Sequence, residues 1–146
     1  MYDDMPRAVT FASMAFRLLW VINLVLGILV AASILDKNVT TNTPWMDTHM
    51  ALGIVLVALL WFLGAAVGLQ ARNATFPALT FVVGLLVAIV GASQQAATDP
   101  SVGLDVLRGI HSVLILSAIA LAEVCAARYK RVRASEPVRA GAIEAR

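Results

Sequence analysis

Apolar residues in this chain neither alternate nor keep to one helical stripe. They run on through four long segments, at about 13–35, 46–70, 76–95 and 106–127, with the polar residues gathered between and after them. At a rise of about 1.5 Å per residue, some twenty residues cross a hydrocarbon core of about 30 Å. A helix that is apolar all round has lipid or protein on every side. The pattern therefore predicts an all-α membrane protein, an up-down-up-down four-helix transmembrane bundle joined by short loops. Residues 1–12 form a short amino-terminal segment and residues 128–146 a basic tail, whose Ala, Pro, Gly and Glu content predicts disorder. The first segment, with no small-x-small cleavage site before a soluble domain, reads as a retained helix.

Local punctuation supports the boundaries. Thr43-Pro44 offers an N-cap and a first-turn proline to the second helix, and Phe76-Pro77 marks the third in the same way. Asp99-Pro100 or Asp105 begins the fourth.

Composition excludes a soluble domain: 60% of the 146 residues are hydrophobic and 14% charged, with a mean hydropathy of +0.85. The charges set an orientation. Arg7, Arg17, Arg72, Arg128, Lys130, Arg131, Arg133, Arg139 and Arg146 fall on one side of the bundle, and only Lys37 and Arg108 on the other. By the positive-inside rule both termini are cytoplasmic. The basic tail directly after a membrane helix reads as a topology anchor against anionic lipid, so membrane lipid and not nucleic acid is the expected partner. Trp20 and Trp45 lie near expected interfaces, whereas Trp61 lies deep and is expected to pack.

Candidate chemistry is sparse. The one cysteine, Cys125, allows no disulfide within the chain and no thiolate metal cluster, and C-x-x-C-H is absent, which excludes covalent c-type haem. No nucleotide-binding loop, nucleophile elbow or HExxH motif occurs. What remains is two histidines. His49 lies about six residues after Thr43 and His111 about six after Asp105, on helices that run in the same direction, so both imidazoles lie at similar depth near the outer end. In such a bundle helices two and four face each other diagonally, and a flat macrocycle ligated from both sides fits between them. Gly53, one turn from His49, lets the macrocycle approach the backbone, and Arg108, one turn outward of His111, is placed to meet propionates. The same histidines would serve equally as interhelical hydrogen-bond donors, and Arg108 would also be satisfied by Asp105, Asp47 or snorkelling. Asn23 and Glu123 are the other strongly polar residues inside the spans, Glu123 being placed to pair with Arg17 or Arg128.

The segments "THMALG", beginning helix two, and "LRGIHSVL", beginning helix four, resemble those of four-helix membrane b-type cytochromes. The chain is also similar to one half of a haem A synthase and to small bacterial four-helix membrane proteins with H-x-x-L-G in helix two and a histidine in helix four. The resemblance spans about residues 13–127. It implies one noncovalent haem b with His49 and His111 as axial ligands, in a bacterial plasma membrane. Many such cytochromes carry four histidines and two haems, and this chain has residues for one site. The acidic catalytic residue of haem A synthases has no identifiable counterpart among Asp36, Asp47, Asp99 and Asp105.

A bis-histidine haem has no open coordination position, so the implied task is to relay single electrons. The expected electron source is membrane quinol or a partner subunit. The short loops hold no catalytic domain, so the expectation is a larger redox complex or a homo-oligomer and no enzyme activity in isolation. A cofactor-free scaffold subunit is the alternative.

Overall fold

The computed structural model describes residues 5–35, 44–96 and 102–144. They form four helices, α1 (Met5–Leu35), α2 (Pro44–Ala71), α3 (Thr75–Ala96) and α4 (Val102–Glu144), with no strand among the described residues. The stretches Met5–Ala31, Trp45–Ala71, Thr75–Gln94 and Asp105–Ser135 are each long and apolar enough to cross a bilayer, the design of a multi-pass membrane protein. Helices suit that setting because each closes its backbone hydrogen bonds internally. The outward side chains are accordingly apolar, among them Phe11, Leu18, Ile54 and Leu69.

The helices alternate in direction, and α2 is the hub, packing on α1, α3 and α4, while α1 meets α4 sparingly and does not touch α3 among the described residues. The cross-section is thus a rhombus with α2 and α4 on its short diagonal. Small residues bring α2 and α3 together: Gly64 lies against the Thr80 side chain, Gly68 against Pro77, and Gly84 against Trp61, which also stacks on Phe81 at 5.1 Å. Trp61 therefore packs in the interior, as its depth predicts. Thr80, fully buried, directs its hydroxyl to the carbonyls of Phe76 and Pro77 at 2.9 and 3.0 Å, so its own polar group is satisfied, whereas Trp61 Nε1 in the same contact is buried without a partner.

The turn between α2 and α3 is built by its backbone. Arg72 takes a left-handed conformation, φ 50°. This lets Asn73 N donate to Gly68 O at 3.0 Å, the six-to-one bond of a Schellman ending. The Asn73 side chain then caps α3, accepting from Thr75 N at 2.7 Å. The cap proposed at Thr43 and the turn at Asp99-Pro100 lie outside the described residues; Asp105 falls in the first turn of α4.

Packing is uneven along the bundle. At the end where α1 begins and α4 leaves, Val9 and Phe16, Leu60 and Leu63, Ala122, Cys125 and Tyr129 form a closed core. Arg17 and Glu123 pair across α1 and α4, with Arg17 Nε to Glu123 Oε1 at 2.7 Å. Toward the other end α1 buries Asn23, Leu26 and Val30, but no described side chain of α2 before Leu60 or of α4 before Ala118 is buried.

Two boundaries differ from the sequence reading. Helix α1 starts at Met5, well before residue 13, because Val9 and Ala12 belong to the closed core. Helix α4 does not end near 127 but runs on to Glu144, with Tyr129 in the core. Ala, Arg, Lys and Glu dominate the segment after 127, and the low hydrophobicity that suggests disorder is also a composition of strong helix formers.

Candidate functional site

Histidines 49 and 111 both lie at the loosely packed end, on α2 and α4, which pack against each other. Their surroundings match. The Cε1 edge of each ring rests on a glycine of the preceding helix: a Cβ at Gly27 would lie 3.1 Å from His49 Cε1, and a Cβ at Gly91 would lie 3.1 Å from His111 Cε1. Each helical hairpin, α1–α2 and α3–α4, thus places a glycine under an imidazole.

The first hairpin shows what the glycine does. Along a helix, the side chain four residues on leans back over a carbonyl. Gly27 follows Asn23 by four and leaves the Asn23 carbonyl open. His49 Nδ1–H donates to it, N···O 3.1 Å. The bond fixes the tautomer with the proton on Nδ1, so the Nε2 lone pair is free to ligate, the usual arrangement of a metal-bound histidine anchored through its other nitrogen. In the second hairpin His111 Nδ1 is buried and has no hydrogen-bond partner.

Asn23 is only 8% exposed, and its Oδ1 also lacks a partner. Gly53, expected to admit a macrocycle on the His49 face, lies opposite the Asn23 side chain, where a Cβ would make an ordinary contact of 3.8 Å with Nδ2. Arg108 is half-exposed and already paired within its own helix, NH1 to Asp105 Oδ1 at 3.1 Å. Of the expected site residues, the fold brings His49 and His111 to one end, keeps Gly53 one turn from His49, and gives Arg108 a carboxylate of its own. Glu123 pairs with Arg17 at the opposite end.

The donor set is informative about what it suits. Among the described residues no group of three or more His, Cys, Asp or Glu could hold a metal ion. Two imidazoles alone are too few for a tetrahedral zinc site. Two neutral nitrogen donors on opposing helices are, however, what a metal already held by a four-nitrogen macrocycle needs. The unpartnered Nδ1 of His111 and the anchored Nδ1 of His49 are compatible with such a group.

Gly27 and Gly91 were not singled out by sequence reasoning. A signal was present: Gly27 precedes His49 by 22 residues and Gly91 precedes His111 by 20, so each pair meets across its hairpin. Compared with protein families, with curated proteins and with solved structures, the chain matches none.

Proposed function

We propose that this chain is a membrane b-type cytochrome, holding one noncovalent haem between His49 and His111 near the outer face and relaying single electrons as part of a larger redox complex. The observation that carries the reading is the repeated glycine–imidazole contact, His49 on Gly27 and His111 on Gly91, at the end of the bundle where no described side chain of α2 or α4 is fully buried. A bound haem would supply one-electron redox chemistry at its iron.

The chain's own residues would do the rest. Asn23 O holds His49 by its Nδ1 proton and keeps Nε2 unprotonated. Gly27 and Gly91, having no side chain, let each imidazole seat against the neighbouring helix. Arg108, at the rim, exchanges Asp105 for an acidic group of the cofactor or stays with Asp105. If His49 and His111 both held the haem, no substrate site would remain on its metal, which favours electron transfer over catalysis. Quinol or a partner subunit would deliver the electrons, and a partner or a second copy would receive them. By the distribution of basic residues both termini are cytoplasmic and the histidines face the outside of a bacterial plasma membrane.

One observation favours a second reading. His49 already ties α2 to α1 through Asn23 with no cofactor involved, which is what a cofactor-free scaffold subunit would use a histidine for. Alanine substitution separates the two. In the cytochrome, His49→Ala and His111→Ala each abolish normal low-spin haem binding, and Arg108→Ala weakens it or shifts its potential without removing it. A haem spectrum unchanged in both histidine variants would overturn the ligand assignment. Protein made with adequate haem supply that binds none would support the scaffold.

A further inference from the structure

The end of the bundle opposite the histidines carries a feature that the redox reading does not use. Between the start of α1 and the exit of α4 runs an open groove of about 370 Å³, walled by Pro6, Val9 and Thr10 on one side and Tyr129, Lys130 and Arg133 on the other. Its floor is core: Val9 is 2% exposed and Tyr129 4%. Its rim is cationic, because Lys130 and Arg133 are exposed and one helical turn apart on α4. On α4, Glu123 is committed to Arg17, and Glu136 follows Arg133 by three residues. From Pro6 and Thr10 a second depression continues over Phe11 and Met14, two of the more exposed apolar side chains of α1, at 74% and 63%.

We infer that this groove is a binding site for one anionic phospholipid, with its phosphate on Lys130 and Arg133 and an acyl chain laid over Phe11 and Met14. Three observations converge on that occupant. The groove lies where the apolar stretches of α1 and α4 begin and end, Met5 and Ser135, the level at which a bilayer carries its phosphates. The rim offers two cations, and the depression leading away from it carries a third, Arg7, at its head beside the apolar Phe11 and Met14, the order of charge and grease along a phospholipid. The groove has a packed floor and therefore a fixed shape, whereas the basic side chains of Arg128 and Arg131 line neither depression. The Thr10 hydroxyl donates to Pro6 O at 2.9 Å and so takes no part in binding phosphate. Nothing in this inference depends on haem.

The test uses the full chain purified in mild detergent, titrated with dioleoyl-phosphatidylglycerol and, separately, with dioleoyl-phosphatidylcholine, bound lipids being counted by native mass spectrometry. One phosphatidylglycerol is held in clear preference to phosphatidylcholine. Lys130→Gln with Arg133→Gln weakens that binding about 25-fold, from about fivefold per basic contact. Arg128→Gln with Arg131→Gln removes the same charge beside the groove and changes binding less than about threefold, since it leaves the rim intact. Thr10→Phe fills the groove at constant charge and weakens binding as well. Equal binding of the two lipids, equal loss in the two arginine-containing pairs, or displacement of the lipid by an equal concentration of inorganic phosphate would each overturn the site.

Discussion

Gly64→Ala is the sharpest test of how the helices are held together. A methyl at Gly64 would meet Thr80 Oγ1 first, and would lie 2.7 Å from its Cγ2 and 2.8 Å from its Cβ. Turning the Thr80 side chain moves the first two atoms but not the third. Cβ is fixed to the backbone, so α3 must withdraw by about 0.6 Å to restore an ordinary contact of 3.4 Å. Thr80 is fully buried and hydrogen-bonded to its own helix, and Gly68 and Pro77 are wedged one turn away, so the withdrawal opens several contacts at once. Overpacking of this kind costs about 1–3 kcal/mol. Cys125 supplies the assay: the single thiol is wholly buried in the closed core, and a maleimide dye reaches it only when the bundle opens. With rapid opening and closing, the labelling rate follows the open population, so Gly64→Ala is labelled roughly 5- to 150-fold faster than the parent. Thr80→Gly removes all three obstructing atoms, and the double variant is labelled more slowly than the two single effects combined would give. Parental labelling of Gly64→Ala, or simple additivity in the double variant, would show that Gly64 and Thr80 do not set the α2–α3 distance.

Three further outcomes follow from the same geometry. Arg72 sits in a left-handed conformation that costs a non-glycine residue about 1 kcal/mol, so Arg72→Gly stabilises the bundle by about 0.5–1 kcal/mol, read as roughly two- to fivefold slower Cys125 labelling. Gly27→Leu and Gly91→Leu each put a branched side chain into the space of an imidazole; both lower haem affinity at least about tenfold in a haem titration, the equivalent of about 1.4 kcal/mol of misplacement, while Gly53→Ala, with only an ordinary contact at 3.8 Å, changes it little. Imidazole ligates only when neutral, so acidification through the histidine range releases haem, followed as loss of the low-spin bands.

The spans and their number were legible because apolar length is dictated by the bilayer, and depth placed Trp61 in the packing; charge narrowed Glu123's partner to Arg17 or Arg128, and the fold selects Arg17. The ends were harder to read. A helix leaving the membrane loses its hydropathy signal at residues such as Tyr129 and Lys130, where Ala, Arg and Lys still favour the helical backbone. The histidines drew notice because an ionisable residue inside a span is costly, but the glycines beneath them did not: a glycine that accommodates a neighbouring helix and one that exposes a carbonyl, as Gly27 does for Asn23, look alike until the hairpin register is known. The turn at Arg72 was hidden for a related reason. Sequence favours Gly or Asn at a left-handed C-terminal position, and here the Asn73 cap and the Gly68 carbonyl hold an arginine in it.

Ligation of one haem by His49 and His111 is read most directly from the dithionite-reduced minus oxidised absorbance spectrum of the purified full chain, with pyridine haemochrome quantification on the same sample. Sharp low-spin bands are expected at about one haem per chain, the most that two histidines hold as a bis-ligated pair. A featureless spectrum from protein produced with ample haem would contradict that ligation and leave the two imidazoles as interhelical ties.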